Sequence, residues 1–192
     1  MKEKQRCEWQ GSDELMVKYH DEDWGTPVHD DRKWFEFITL DSFQAGLSWA
    51  IVLNKRENFR KAFDNFEPEI IAKYDESKFE ELTQDAGIIR NKLKIKATIS
   101  NAKAFIEIQK EFGSFDKYIW KFVGDKPIIN KWKQTSEIPA STKVSDVLSN
   151  DLKSRGFKFV GTTICYAFMQ GAGLINDHLT HCFRYKELTK SF

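Results

Sequence analysis

Arg155-Gly156-Phe157-Lys158-Phe159-Val160-Gly161-Thr162-Thr163 is the stretch that decides the fold. One helical pattern starts at Ser141 or Thr142 and pauses at Arg155-Gly156, and another resumes near Thr162. Glycine is the residue that most readily ends a helix, so the segment reads as helix, short glycine-bounded hairpin, helix. Backbone N–H groups at the start of the second helix, with Lys158 beside them, offer a site for a phosphate.

Helical periodicity also dominates outward from this stretch. Ile95, Ile99, Ala102 and Ile106 follow the i, i+4, i+7, i+11 pattern of a long amphipathic helix. Gly113-Ser114 ends it and caps a following helix over Phe115 to Val123. Trp34, Phe35 and Ile38 share a helical face behind a cap at Asp30 or Asp31. Trp49 to Phe66 reads as one helix, and Glu67-Pro68 as the start of a short one. Residues 124–141 contain Pro127 and Pro139 without a clear period and read as a surface-packed loop. Strand signals are weak throughout. The expected class is mainly α, and the length suggests one domain, read as 1–192, or two small lobes sharing a core.

Composition narrows the function classes. Of 192 residues, 41% are hydrophobic and 31% charged, ordinary for a globular protein, while aromatics reach 14%. Such an aromatic excess fills cores and also builds pockets that stack on flat ligands. The formal net charge of +1 neither demands nor excludes a nucleic-acid partner. The 3 Cys form no disulfide framework, the start is polar, and no uncharged run approaches a membrane span. A reducing, cytoplasmic setting without a membrane is expected, with cysteines serving a metal or the core.

Cys7 and His20 stand near one end, and His178 and Cys182, four apart, near the other. On a helix an i, i+4 pair projects from one face, so one ion can take both. Two sulfur and two nitrogen donors suit tetrahedral zinc, and four protein donors leave no open position, so the ion would be structural. A lone His-x-x-x-Cys pair is often incidental, His181 is a competing ligand, and spacing alone leaves open whether the two ends meet. Cys165, among apolar neighbours, reads as core, and His29 as a surface residue.

Two further segments stand out. Tyr19-His20-Asp21-Glu22-Asp23-Trp24-Gly25 surrounds a proposed ligand with aromatics, and Trp9 is close in sequence to Cys7. Asp41-Ser42-Phe43-Gln44-Ala45-Gly46-Leu47-Ser48-Trp49 places an acid before a small-residue turn, with Leu47 available as an apolar wedge between base pairs. Taken singly, Trp24 and Trp49 are as readily core residues, Asp41 a capping acid, and Arg155 and Lys158 a solvated turn.

Together RCEW, YHDEDWG, QAGLSW, VLNKREN, QDAGIIRNK, SEIPAST, RGFKFVGTTICYAFMQ and GLINDH make the chain resemble the DNA-3-methyladenine glycosylase I family from about Arg6 to about Tyr185. The resemblance implies an all-α helix-hairpin-helix fold whose termini are joined by one zinc ion on Cys7, His20, His178 and Cys182. It implies a monofunctional N-glycosylase that excises 3-methyladenine from double-stranded alkylated DNA in base excision repair. It implies Asp41 and Tyr19 as the catalytic residues, the first recognising the base and stabilising developing charge and the second hydrogen-bonding the base, with Trp49, Trp9, Trp24 and Met16 around it. Gly46 and Leu47 would fill the gap in the duplex, and Gly156, Lys158 and Gly161 would shape a phosphate-binding hairpin. A monomer with no obligate protein partner is expected. Two positions depart from the family pattern, which usually has Glu where Asp41 stands and Tyr where Met16 stands. These departures motivate an alternative, a catalytically weakened lesion-binding protein of the same fold. A zinc hydrolase unrelated to DNA is a third reading, and it needs an open metal position.

Overall fold

The computed structural model describes residues 4–190. Among the described residues the chain forms α1 (Glu14–Glu22), α2 (Asp31–Gln44), α3 (Trp49–Asn54), α4 (Arg56–Ala62), α5 (Pro68–Ile71), α6 (Glu76–Gln84), α7 (Lys92–Phe112), α8 (Phe115–Trp120), β1 (Ile128–Ile129), α9 (Lys143–Ser154), α10 (Thr162–Gly171), β2 (Ile175–Asn176) and α11 (Phe183–Thr189). The mainly helical class matches the periodicity.

Helix starts follow from side-chain caps. Asp13, Asp30, Asp75, Asn91 and Ser114 each accept from backbone N–H groups of the first turn. Thr142 opens α9 with a reciprocal capping box to Ser145. From Trp34 to Phe43 every residue of α2 is buried, so this helix is the axis of the fold. It packs against α3, α7, α8 and α10. Ring-on-ring contacts such as Phe35–Phe105 and Trp34–Phe168 fill the space between them.

The deciding stretch folds as two helices joined by a tight turn. Gly156 N–H donates to Lys153 O and Phe157 N–H to Leu152 O, the paired bonds of a Schellman ending. Gly156 takes the left-handed conformation (φ +96) that this ending requires. Phe157 and Leu152, both fully buried, supply the apolar contact that accompanies it.

Two expectations change. The single helix expected over Trp49 to Phe66 is interrupted at Lys55 (φ −102, ψ 0) and again where Asp64, Asn65 and Phe66 all adopt positive φ. Apolar spacing continued across these breaks because Phe59, Phe63 and Phe66 still point to one core cluster. Residues 124–141 are more ordered than a surface loop. β1 pairs in parallel with β2, Thr180 N–H donates to Trp132 O, and residues Thr135–Glu137 form a 3-10 turn.

A buried acid anchors this segment. Asp177 is fully buried and accepts from Asn130 Nδ2, Trp132 Nε1, Gln170 Nε2 and Tyr166 Oη at 2.5–2.7 Å. It ties α10 to the 124–141 segment immediately before His178. Asp177→Ala leaves four donors, the buried Tyr166 hydroxyl among them, without their acceptor and is expected to lower the unfolding free energy by at least about 3 kcal/mol in denaturant titration.

Candidate active site

Cys7, His20, His178 and Cys182 converge although they come from opposite ends of the chain. All four are buried, and their donor atoms lie within 4.8 Å of one another. Cys182 Sγ is 3.5 Å from His20 Nε2 and 3.6 Å from His178 Nδ1, and Cys7 Sγ is 3.6 Å from His178 Nδ1. Sulfur at about 2.3 Å and nitrogen at about 2.0 Å from one tetrahedral ion stand roughly 3.5 Å apart, so the donor set fits such an ion. The outer ring nitrogens are engaged as well. His20 Nδ1 is 2.8 Å from Asp21 Oδ1, and His178 Nε2 is 2.9 Å from Trp24 O. A carboxylate and a carbonyl can only accept, so those nitrogens hold the protons and His20 Nε2 and His178 Nδ1 turn lone pairs inward. Arg6 in turn braces Asp21 at 2.8 Å. Hydrogen bonding from Cys7 holds the Cys182 thiol far below its ordinary pKa against the effect of burial, and the same bond together with burial pushes Cys7 up. Leu179 N–H also donates to Cys7 Sγ at 3.4 Å.

His178 and Cys182 do not share a helix, as their spacing suggested. His178 follows β2, and Cys182 is the N-cap of α11. An irregular turn brings them together, with Cys182 N–H donating to Leu179 O.

The cluster adjoins a cavity of about 310 Å3. Trp9, Met16, Tyr19, Trp24, Asp41 and Trp49, separated in sequence, all line it. Ring contacts run without a break from the cluster into its wall. Trp24 packs on His178 at 4.6 Å, Trp9 on Trp24 at 4.8 Å, and Trp49 on Tyr19 at 5.0 Å between centroids. Tyr19 and His20 are neighbours on α1, so one turn of helix serves both sites.

Asp41 lies on α2 and is 3% exposed, with Oδ2 buried and lacking a hydrogen-bond partner. Burial pushes its carboxyl well above the ordinary carboxylate range, opposed by the charge of Arg56. Arg56 is itself paired with Glu36 at 2.6 Å and Asp23 at 2.8 Å. The indole N–H groups of Trp9 and Trp49 are likewise buried without partners. Folded proteins rarely leave such groups unpaired. The cavity therefore combines aromatic walls with an acid and two donors, which suits a flat, electron-poor ring.

The proposed DNA-contacting residues lie in two places. Ala45 (φ −49, ψ 114) and Gly46 (φ +80), with Leu47 N–H donating to Gln44 O at 2.7 Å, form a type II turn after α2. Gly46 supplies the positive φ this turn needs, and Leu47 is 39% exposed at its tip. Gly156, Lys158 and Gly161 lie between α9 and α10, with the Lys158 side chain in solvent. Gly161 is the N-cap of α10 with no side-chain cap, which leaves first-turn N–H groups open. Thr162 Oγ1 is engaged by Asp146 and Ser145. Arg155 is taken up by ion pairs with Glu111 and Asp151, which makes it a brace for the turn.

Gln44, Thr135, Ile138, Ala167 and Gln170 also line the cavity and were not foreseen. Ala167 and Gln170 are three apart on α10, a spacing that could have flagged them. Thr135 and Ile138 sit in a stretch whose conformation depends on Asp177; Ile138 falls within SEIPAST, but no period or spacing marks either residue as cavity lining.

Comparison with known proteins comes to the same chemistry. The methyladenine glycosylase family matches residues 9–185. The DNA-3-methyladenine glycosylase 1 of Escherichia coli (strain K12) is 50% identical over 181 residues, covering 94% of this chain and 97% of the relative. A crystal structure of a 3-methyladenine DNA glycosylase I superposes with TM-score 0.91 at 51% identity, covering 93% of this chain and 98% of that one. The Staphylococcus aureus enzyme, solved to explain 3-methyladenine recognition, superposes with TM-score 0.90 at 33% identity over 93% of this chain and 95% of its own.

The raised pKa of Asp41 has a thermodynamic signature. A carboxyl whose folded pKa lies above its unfolded value binds more protons when folded, so stability falls as pH rises past about 4. Asp41→Asn removes that loss. The variant is expected to be more stable than the parent by at least about 1 kcal/mol at pH 7, with the gap closing below about pH 4, in denaturant titrations across pH.

Proposed function

The chain belongs to the methyladenine glycosylase family, and from that premise we propose how its own residues carry the reaction. It is a DNA glycosylase that hydrolyses the N-glycosidic bond of 3-methyladenine in alkylated DNA. One observation carries the reading of the site: a buried, unpartnered carboxyl oxygen of Asp41 in a cavity walled by Trp9, Tyr19, Trp24 and Trp49.

Methylation at N3 gives adenine a delocalised positive charge and weakens its stacking and pairing, so turning it out of the duplex costs less than for a normal base. In the cavity, Trp49 stacks on the ring, with Trp9, Trp24 and Met16 completing the walls. A cationic ring beside Asp41 favours the ionised carboxylate that burial alone disfavours. Asp41 thus selects the charged base over neutral adenine and stabilises positive charge as it moves toward the sugar. Tyr19 contributes a hydrogen bond to the base. When the C1′–N9 bond breaks, its electron pair neutralises the ring, so the leaving group needs no strong acid. Water bonds to C1′ of the oxocarbenium-like sugar and releases a proton. Among the described residues no lysine lines the cavity, which supports hydrolysis without a covalent sugar adduct. Asp41, although shorter than the family's usual Glu, still lines the cavity, and this favours an active enzyme over a weakened binder.

Cys7, His20, His178 and Cys182 would hold one zinc ion. Four protein donors leave no place for water on it, so its contribution is cross-linking rather than chemistry. The α9–turn–α10 unit serves as the helix-hairpin-helix, with Gly156, Lys158 and Gly161 presenting backbone and charge to a phosphate. Gly46 and Leu47 occupy the gap left by the flipped nucleotide. Both ends of the chain brace this one site, so 1–192 acts as one glycosylase domain and needs no second copy.

Single-turnover release of 3-methyladenine from alkylated duplex DNA tests the assignment. Asp41→Asn is expected to lower the rate by about a hundredfold or more with duplex binding retained, whereas Asp41→Glu keeps substantial activity. Parent-like excision by Asp41→Asn would remove Asp41 from the mechanism.

A further inference from the structure

We propose that Lys94 and Asn101 are positioning residues, fixing the turn that bears Leu47 and the hairpin that bears Lys158 to one face of α7. The inference rests on the reading that these two loops grip the duplex. Lys94 is buried, 5% exposed, and its Nζ donates to Phe43 O at 2.7 Å and Ala45 O at 2.6 Å. These carbonyls lie where α2 ends and the type II turn begins. α2 has no basic residue in its own last turn, so the cation that satisfies this helix terminus comes from another helix. Within the turn Leu47 N–H donates to Gln44 O, and the tip stands in open space. A side chain at Gly46 would meet nothing within 4 Å.

Asn101 lies seven positions further along, two turns and about 10 Å up the same face of the helix. It is 2% exposed and clamps one residue of the hairpin from both sides. Its Oδ1 accepts from Lys158 N–H at 2.8 Å, and its Nδ2 donates to Lys158 O at 3.1 Å. Phe159, next in the chain, has φ +56, a conformation that an aromatic residue seldom adopts. Its ring centroid lies 5.8 Å from Lys94 Nζ, so Lys94 also reaches the hairpin that Asn101 holds. Neither Lys94 nor Asn101 lines the base cavity. Their bonds go to backbone of the two loops, so they set the distance between the residue entering the stack and the residue facing the phosphate.

Duplex excision and free-base binding separate this role from general stability. Lys94→Met, which keeps the stem and loses both donors, and Asn101→Ala are expected to raise the duplex concentration at half-maximal excision by about tenfold to a hundredfold. Affinity for free 3-methyladenine, followed by tryptophan fluorescence, stays at the parent value. Lys94→Gln, with one donor left, falls between; if Lys94→Met does not fold, Lys94→Gln decides the question. In a double-mutant cycle Leu47→Ala adds little to Lys94→Met. Loss of free-base affinity in step with duplex affinity, or full additivity in the cycle, overturns the inference. If Leu47→Ala and Lys158→Ala weaken duplex excision and Lys94→Met does not, only this inference fails. If Leu47→Ala changes nothing, the wedge reading fails and takes the role of Lys94 with it.

Discussion

The convergence of Cys7, His20, His178 and Cys182 is the constraint on which the site depends. It joins two segments that sequence separates by almost the whole chain, and it does so in a fully buried place. Around it the ends are laced together: Phe183 N–H donates to Gln5 O, Arg6 braces Asp21, and Trp24 O receives His178. An ion held by all four donors would bind the folded chain and not the unfolded one, so its binding free energy would add to folding stability. The aromatic wall inherits that rigidity, because Tyr19 adjoins His20 and Trp24 packs on His178.

Against this rigid frame the cavity holds groups that the fold leaves unsatisfied. Asp41 Oδ2 and the indole nitrogens of Trp9 and Trp49 are buried without partners, which costs stability. Sites that await a ligand commonly carry such a cost. In the proposed mechanism a cationic aromatic ring answers it by stacking on the indoles and by favouring the ionised carboxylate. Neutral adenine offers Asp41 no charge, so in the proposed mechanism the same groups that weaken the free protein would discriminate between bases.

Much of this was legible in the sequence. The long helix with Ile95, Ile99 and Ala102 declares itself by period, and Gly156 marks the turn between α9 and α10 because that Schellman ending needs a left-handed residue. The four clustered Cys and His residues stood out as two spaced pairs, and the resemblance to the family then named them together with Trp9, Met16, Tyr19, Trp24, Asp41 and Trp49 of the cavity wall. What stayed hidden depends on contacts between distant segments. The Trp49–Phe66 helix breaks first at Lys55, which no local signal marks, and again at Asp64, Asn65 and Phe66, where the Asp-Asn tolerance of left-handed backbone was masked by the apolar period through Phe59, Phe63 and Phe66. The 124–141 segment takes its shape from Asp177, and thereby brings Thr135 and Ile138 to the cavity. His178 and Cys182 looked like a helical pair and are instead brought together by an irregular turn.

The measurement that bears most directly on this account is metal content paired with affinity for free 3-methyladenine, before and after chelation and in Cys182→Ala. One zinc per chain is expected in the parent. Its removal should lower the melting temperature and the base affinity together, because the proposed ion would hold the wall that Tyr19 and Trp24 form. A metal-free protein with unchanged melting temperature and unchanged base affinity would contradict the claim that the clasp builds the pocket.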